Sequence, residues 1–440
     1  MAVSQERLVS LDVFRGMTIA GMVLVNNPGT SPVYWPLDHA EWNGLTPTDW
    51  IFPFFLFIVG VSISISLGRR SQEGITRDTY IQIITRAGTI YLLGAAISIL
   101  PFFQFQSSDA PDPLKMIVWL ILSAALFFLL LRKYYIAAGL AAAGLLGIAA
   151  FNLAGYNIVG YSYGTLRIAG VLQRISVCYL VTALVFLHTN WKQQVGISIF
   201  LLLAYWLVMT VIPVPGCEIT TVSDKACNLA AYLDRSILTE NHIWRNGKVY
   251  DPEGILATIP AIVTTISGVL AGTWLAGTQA ASLRNDGGSD KLNKVSGLFF
   301  FGVILLAIGL IWNSYFPMNK SLWTSSYVLA TTGLALLVLG ACYWLIDIKG
   351  YKKWAWPFRV FGANALALFV FTGLFARMIA AYRVTGSDGQ LISVQRWIMN
   401  HIFLPIAQPI DASWMFAVTF ILLWLFLMWL LYRKNMYIKV

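Results

Sequence analysis

The chain has 440 residues, of which 58% are hydrophobic and 11% are charged, and its formal net charge is +10. Soluble domains carry about 25% charged residues, so this composition and a mean hydropathy of +0.69 exclude a soluble globular protein. They predict an integral membrane protein, in which the excess of Lys and Arg reports orientation and implies no nucleic-acid partner.

Twelve apolar segments approach the length of about 20 residues that a helix needs to cross a bilayer. In chain order they are Leu11–Asn27, Trp50–Leu67, Gly88–Phe103, Leu114–Leu131, Tyr135–Leu153, Ile168–Leu187, Val195–Ile212, Gly254–Leu275, Val295–Tyr315, Trp323–Ile346, Phe358–Ala380 and Trp414–Tyr432. The predicted fold is therefore an all-α, polytopic membrane helix bundle with about 12 transmembrane helices, in a single domain covering residues 1–440.

Lys and Arg in the loops predict the orientation. With the amino terminus in the cytoplasm, roughly two thirds of these residues fall on the cytoplasmic side, as expected for membrane proteins. Both termini are then cytoplasmic, and the loop at about 214–253 forms an extracytoplasmic cap. Cys217 and Cys227 share this loop, and a disulfide between them is expected if the loop faces an oxidising compartment. No C-x-x-C occurs, and no metal site is predicted.

The stretch "HAEWNGLTPTDW", which begins at His39, lies on the predicted outer side, just before the second helix. Histidine changes its charge near neutral pH, so it can act as a general base or a nucleophile. The alternative is a polar loop with interfacial tryptophans and an incidental histidine. From the spacing alone, that alternative is favoured.

Arg174, in "GVLQRIS", lies seven residues after Arg167 and hence roughly 10 Å inside the predicted helix. It indicates an anion-binding site in the bundle or, alternatively, a structural partner for a buried acid or carbonyl. Arg15 is either an ordinary cytoplasmic anchor or a ligand contact. It lies roughly 16 Å along the first helix from Asn26.

Two outer loops add further polar residues. In "DPEGIL", Asp251 and Glu253 suit the start of a helix, but they can also bind sugar hydroxyls or an ammonium group. In "PMNKSLWTSSY", Lys320 is either a lone loop cation or a ligand contact. The sequence lacks P-loop, H-E-x-x-H and G-x-S-x-G motifs, which argues against ATPases, zinc proteases and serine hydrolases.

Six segments together resemble one family, and they occur in that family's order. They are "RLVSLDVFRGMTIAGMVLVNN", "HAEWNGLTPTDWIFPFFLFIVGVSI", "GVLQRISVCYLV", "PVPGC", "DPEGIL" and "NKSLWTSSYV". The chain resembles a bacterial relative of heparan-α-glucosaminide N-acetyltransferase, the transmembrane acetyltransferase of lysosomes. The resemblance covers nearly the whole chain and is weakest over the hairpin at 114–153.

The resemblance implies transfer of acetyl from cytoplasmic acetyl-CoA to a glucosamine-type amine on the extracytoplasmic side, with acetyl-CoA as co-substrate and no metal. The family's essential histidine matches His39, and its partner asparagine matches Asn26, with Asn27 as the alternative alignment. Its buried arginine matches Arg174, and its cysteine after "PVPG" matches Cys217, with Cys227 as the expected partner.

On this basis, we expect His39 to deprotonate the acceptor amine, and Asn26 to orient His39 or stabilise the oxyanion. A route through an acetylated His39 stays open. The residues expected to bind acetyl-CoA are Arg15, Arg69, Arg70, Arg86 and Arg174. Those expected to bind the acceptor are Trp42, Asn43, Asp251, Glu253, Asn319, Lys320 and Trp323.

The expected substrate is an amino sugar or glycan unit, and the expected location is a bacterial inner membrane, which the chain crosses many times. A homodimer is compatible with the sequence. Two other functions stay open: a glycan O-acetyltransferase, and an inner-membrane amino-sugar transporter, for which twelve helices are suitable. The lack of a detectable inverted repeat argues against the transporter.

Overall fold

The computed structural model describes residues 8–277, 287–387 and 389–438. Its helices are α1 Val9–Asn26, α2 Ile51–Glu73, α3 Arg77–Ile99, α4 Asp112–Leu130, α5 Tyr134–Leu153, α6 Val171–His188, α7 Trp191–Val211, α8 Leu229–Leu238, α9 Thr258–Gly277, α10 Gly287–Trp312, α11 Ser325–Tyr343, α12 Trp356–Ala363, α13 Ala365–Ala381, α14 Val394–Ile398 and α15 Pro409–Arg433. A small antiparallel hairpin pairs β1 (Arg383–Thr385) with β2 (Leu391–Ser393).

The predicted fold class is confirmed. Within the described ranges, 11 helices are long and apolar enough to cross a membrane, and α12 with α13 makes a twelfth span if the two are taken together. These helices overlap the twelve predicted segments one for one. The prediction that both termini are cytoplasmic stays a prediction.

Two predicted segments differ from the observed helices. α3 begins at Arg77 rather than Gly88, because its first turns are polar and hydropathy does not detect them. The segment predicted as Phe358–Ala380 is broken at Asn364, whose backbone is not helical (φ −130°, ψ 37°). The Asn364 side chain stabilises this break, since it donates to Met436 O (3.0 Å) and accepts from Ile438 N (2.8 Å).

The chain folds into two compact units. Unit 1 comprises Met1–Thr18, His39–Gly94 and Arg167–Gly362, and unit 2 comprises Ile19–Asp38, Ala95–Leu166 and Ala363–Val440. The single domain expected over residues 1–440 stays a prediction.

Unit 1 is built around α2 and α9, which run side by side in the same direction. A Cβ atom added to Gly60 would lie 1.9 Å from Thr265 O, and one added to Gly268 would lie 1.9 Å from Phe57 O. The two backbones therefore touch, as small residues permit in membrane helix pairs. Because the helices are parallel, their first turns lie at the same end of unit 1.

The segment between α7 and α9 caps that end of unit 1. It contains α8 and a disulfide between Cys217 and Cys227, whose Cα atoms are 5.8 Å apart. Trp42 joins this cap to the His39 segment. Its indole Nε1 donates to Val222 O (2.9 Å), and its ring packs edge-on against Tyr250 at 4.9 Å.

Unit 2 contains the α4–α5 hairpin, in which Gly144 lies directly against Leu122. Lys115 at the start of α4 is buried, and its ammonium group donates to Phe105 O (2.7 Å) and Ser108 O (2.8 Å). Asp112 balances the charge at 2.8 Å, and the two carbonyl bonds hold the preceding loop, so Lys115 has a structural explanation.

Candidate active site

Asp49 is the most constrained acid of the His39 segment, and its side chain is 1% exposed. It lies in the short 3₁₀ turn Pro47–Trp50 that leads into α2. Its Oδ2 accepts from Thr46 Oγ1 (2.9 Å), Thr46 N (3.1 Å) and Ala40 N (3.2 Å). Thr46 and Asp49 form a capping box, the arrangement that such spacing favours at a helix start. Three donors thus fix one carboxylate oxygen and leave the other for a partner.

That partner is His39. Its Nδ1 lies 2.7 Å from Asp49 Oδ1, and its side chain is 48% exposed. With Asp49 ionised, we assign the hydrogen to Nδ1, which donates it to the carboxylate. Nε2 is then the nitrogen that can take a proton, and the carboxylate stabilises the imidazolium that forms.

Lys320 completes this cluster. Its Nζ lies 3.0 Å from His39 Nδ1, 3.3 Å from His39 Nε2 and 3.5 Å from Asp49 Oδ1. Burial lowers the pKa of Lys320, and the negative charge of Asp49 only partly opposes this effect. More of the amine is therefore neutral than in an exposed lysine, right beside the histidine.

Asn319 fixes the loop that carries Lys320. This residue is fully buried; its side chain donates to Asn43 Oδ1 (3.1 Å) and accepts from Leu322 N (2.9 Å). Gly44 N also donates to Met318 O (2.8 Å), and its φ of +126° is one that glycine permits. The two loops are thus joined, and Asn319 is not exposed to a ligand.

Trp323 is a buried residue that packs beneath these two loops. It is 1% exposed and has a left-handed backbone with φ of +52°. Its ring packs against Phe52 at 5.1 Å and Tyr327 at 5.3 Å, and its Nε1 donates to Thr264 Oγ1 (3.1 Å). The Tyr327 hydroxyl in turn donates to Asp49 O (2.6 Å). Trp323 therefore links the starts of α2, α9 and α11, and it is not an exposed acceptor platform.

Arg174 packs over the ring of Trp323, with its guanidinium carbon 5.0 Å from the ring centre. Because α6 begins at Val171, Arg174 belongs to the first turn, and the predicted depth of roughly 10 Å inside the helix is wrong. The side chain is nevertheless buried, at 2% exposure. Burial comes from Trp323 and the cap rather than from depth along the helix.

The hydrogen bonding of Arg174 is incomplete. Its Nη2 donates to Gly254 O at 3.3 Å, whereas Nε and Nη1 have no hydrogen-bond partner within the described part of the chain. A buried donor without a partner costs about 1–3 kcal/mol, and more when it is charged. The arrangement suits a ligand that brings an oxygen acceptor.

The acids of "DPEGIL" are already paired. Asp251 is 2% exposed, and its carboxylate accepts from Arg167 Nε (2.9 Å). Arg167 Nη2 also donates to both Asp251 and Glu253. Burial raises the pKa of Asp251, although Arg167 opposes the rise. Burial alone would lower the pKa of Arg167, but the two acids outweigh it and raise that pKa. The acids form an ion-pair clamp, with Arg167 as a partner that the sequence did not reveal.

Asp234 in α8 lies beside this clamp and is 1% exposed. It accepts from Ile255 N at 2.9 Å, and Gly254 packs directly against its carboxylate. Burial raises the pKa of Asp234 to about 6, and the negative charge of Asp251 adds to the rise. Asp234 is therefore a buried acid that changes charge close to neutral pH.

Two of the other predicted acetyl-CoA cations have partners of their own. Arg15 pairs with Asp12 at 3.2 Å and donates to Ser62 Oγ at 3.0 Å. Arg86 lies over the ring of Tyr179 at 5.0 Å. The side chains of two further cations lie outside the described part of the chain, namely Arg69 and Arg70 in α2.

Asn26 is the last residue of α1, and it is exposed. It belongs to unit 2 and His39 to unit 1, so their expected partnership stays a prediction. The neighbouring Asn27 donates to Val23 O (2.7 Å) and thereby closes the last turn of α1. In unit 1, the exposed Asn43 donates to Ser223 Oγ at 3.0 Å.

No protein-family model matches the chain. Human heparan-α-glucosaminide N-acetyltransferase is 27% identical over 411 residues, which cover 83% of this chain and 52% of the human protein. The mouse protein of the same name is 28% identical over 415 residues, covering 83% of this chain and 53% of its own length. The chain thus spans about half the length of these relatives. It is a distant relative of the heparan-α-glucosaminide N-acetyltransferase family.

Proposed function

We propose that this protein is a transmembrane acetyltransferase that moves acetyl from cytoplasmic acetyl-CoA to the amine of an extracytoplasmic amino sugar. The proposed location is a bacterial inner membrane. The observation that carries the proposal is the contact of 2.7 Å between His39 Nδ1 and the buried carboxylate of Asp49. The relationship to named N-acetyltransferases over 83% of the chain supports it.

The proposed reaction is direct attack by the acceptor amine. Nε2 of His39 takes a proton from the amine as its nitrogen attacks the thioester carbonyl carbon, and the C–S bond then breaks. The proton passes to the leaving thiolate, which gives free CoA and an N-acetyl sugar. Histidine suits this step because its charge changes near the operating pH, and general-base help contributes about 10²–10⁴ in rate.

Asp49 has a positioning role in this reaction. Its fixed carboxylate holds the imidazole ring and stabilises its protonated form. Lys320 places a positive charge within 3.3 Å of the same ring. When Lys320 is protonated, its charge favours the oxyanion that forms when the carbonyl is attacked.

Arg174 supplies the proposed contact to the donor. Its Nε and Nη1 lack hydrogen-bond partners within the described residues, and its guanidinium packs over the ring of Trp323. A carbonyl or anionic oxygen of acetyl-CoA would satisfy these donors. For the phosphates, the proposed cations remain Arg15, Arg69, Arg70 and Arg86.

The test uses purified protein in detergent with acetyl-CoA and a panel of acceptors. The panel contains glucosamine, glucosamine-terminated oligosaccharides and, as hydroxyl acceptors, their N-acetylated forms. Mass spectrometry should detect an added acetyl group on the amine, and the His39→Ala variant should lose this product while it still binds acetyl-CoA.

Two outcomes would overturn the proposal. Product on hydroxyl acceptors alone would establish an O-acetyltransferase. In sealed vesicles, uptake of amino sugar without acetyl-CoA, together with no acetylated product, would establish a transporter. Acetylated His39 that passes its acetyl group to glucosamine would replace direct attack by the two-step route.

A further inference from the structure

Lys320 already places a primary amine against the histidine that is proposed to activate one. Its Nζ lies 3.0 Å and 3.3 Å from the two ring nitrogens of His39. A general base takes a proton from a group about 2.6–3.2 Å away, and this distance is often longer before the substrates bind. Nε2 is the nitrogen that can take a proton, and at 3.3 Å from it the Lys320 amine lies close to that range.

The surroundings of Lys320 also suit a nucleophilic amine. Its side chain is 27% exposed, so a thioester that reaches His39 is also accessible to Lys320. Burial favours the neutral form of this amine, which is the form that attacks a carbonyl carbon. Asp49 lies 3.5 Å away and holds His39, which can receive the proton.

We propose that Lys320 is an internal acceptor, which becomes acetylated when acetyl-CoA is bound and no amino sugar is present. This inference rests on the proposed function, because it needs the thioester to reach His39. Neutral Nζ attacks the thioester carbonyl carbon, a C–N bond forms and the C–S bond breaks. His39 takes the proton from the attacking nitrogen and returns it to the CoA thiolate.

The product is a stable amide, and it has consequences for the site. Acetylation removes the positive charge beside His39 and Asp49, and it places an acetyl group where the acceptor amine must bind. An amide does not pass its acetyl group on as a thioester does. The modified protein is therefore blocked, and an amino sugar that occupies the site protects Lys320.

The chain contains an internal control in the same part of unit 1. Lys225 lies on the disulfide-closed loop, and its ammonium group lies 5.8 Å from the ring centre of Trp42. Its Nζ makes no hydrogen bond to His39 within the described chain. Chemical acetylation by acetyl-CoA in solution should therefore favour Lys225, whereas His39-dependent acetylation should favour Lys320.

The experiment incubates full-length protein in detergent with isotope-labelled acetyl-CoA, with and without glucosamine, and quantifies label on both lysines by peptide mass spectrometry. Without glucosamine, label on Lys320 should exceed that on Lys225 by roughly 100-fold, the low end of general-base assistance. Glucosamine should suppress it, and His39→Ala should reduce it to the level of Lys225. Preincubation with acetyl-CoA should inactivate the wild type, but not Lys320→Arg relative to its own untreated sample.

The outcomes separate this inference from the proposed function. If glucosamine is acetylated in a His39-dependent way while Lys320 carries no more label than Lys225, the inference is wrong and the proposed function stands. If Lys320 is labelled equally in His39→Ala, its contact with His39 has no role and the inference is wrong. If neither glucosamine nor Lys320 gains label, both are wrong.

Discussion

The His39 cluster and the Arg174 cluster differ in how completely their polar groups are paired. In the first, the Asp49 carboxylate accepts from a histidine, a hydroxyl and two backbone amides. In the second, a guanidinium at 2% exposure has one weak hydrogen bond and two donors without partners among the described residues. The Asp49–His39 pair is thus completed within the chain, whereas the hydrogen bonding of the buried arginine is incomplete among the described residues.

A second comparison is between Arg167, which is paired in the ion-pair clamp, and Arg174. Arg167 reaches two carboxylates, those of Asp251 and Glu253, whereas Arg174 lies near the same segment and bonds to the Gly254 carbonyl. A buried charge with partners contributes to stability when the alternative is an unpaired carboxylate. A buried charge whose hydrogen bonding is incomplete is better explained by function than by stability.

The largest expected effect concerns Asp49. Asp49→Asn keeps the shape of the side chain but removes the charge that holds His39 and stabilises its protonated form. We expect kcat for acetyl transfer to fall by about 10²–10⁴, with a smaller change in KM. Glu41→Gln is the matched control, since Glu41 is an exposed acid of the same segment, and it should keep the wild-type rate. Equal losses in both variants would contradict the positioning role.

The second prediction compares the two arginines in stability. Arg167→Gln leaves the carboxylates of Asp251 and Glu253 without their cation and should destabilise the protein by about 3–5 kcal/mol. Arg174→Gln removes an incompletely bonded charge and should leave stability unchanged or higher. Thermal unfolding in one detergent measures both. A larger loss for Arg174→Gln than for Arg167→Gln would show that Arg174 is structural.

The third prediction concerns Asp234. Its folded pKa of about 6 lies above the ordinary value of 3.8, so the folded state holds this proton more tightly. The resulting stability is fully present below pH 3.8 and is lost as the pH rises through about 6. The loss in the free energy of unfolding is about 3 kcal/mol.

Asp234→Asn should remove this part of the pH dependence, measured as the unfolding temperature between pH 4 and 7. Asp224→Asn is the control, because backbone N–H groups lower the pKa of Asp224 and it does not titrate in this window. An unchanged slope in Asp234→Asn would contradict the buried, protonated acid.

The smallest expected effect is on donor binding at Arg174. Arg174→Gln removes charged donors that are proposed to bind an oxygen of acetyl-CoA, and bonds to charged groups contribute about 1.5–3 kcal/mol. KM for acetyl-CoA should therefore rise about 10- to 100-fold, with little change in KM for the sugar. The same rise with the sugar and not with acetyl-CoA would assign Arg174 to the acceptor.

Much of the fold was predictable because lipid leaves few alternatives. Each of the twelve predicted segments meets a helix, since backbone groups in a bilayer must be paired within the segment. The break at Asn364 was not predictable, because it depends on hydrogen bonds to Met436 and Ile438 far along the chain. The polar first turns of α3 were missed because hydropathy detects apolar residues, and a helix can extend beyond its apolar part.

The site was predictable only in part. His39 was singled out because the chain resembles the family and its essential histidine matches this position. For Lys320, a ligand contact was one of two open interpretations. Asp49 has the ordinary appearance of an acid at a helix start, so the spacing from Thr46 was its only signal. The pairing of Arg167 with Asp251 joins residues 84 positions apart, a contact that no local pattern encodes.

The central claim is that Asp49 acts through His39, and a double-mutant cycle tests it most directly. The rate of glucosamine acetylation is measured for the wild type, His39→Ala, Asp49→Asn and the double variant, with long incubations to quantify residual product. Residues that act as one unit are not additive, so Asp49→Asn should lower the rate about 100-fold or more in the wild type but hardly at all without His39. An equal loss in both backgrounds would contradict the account.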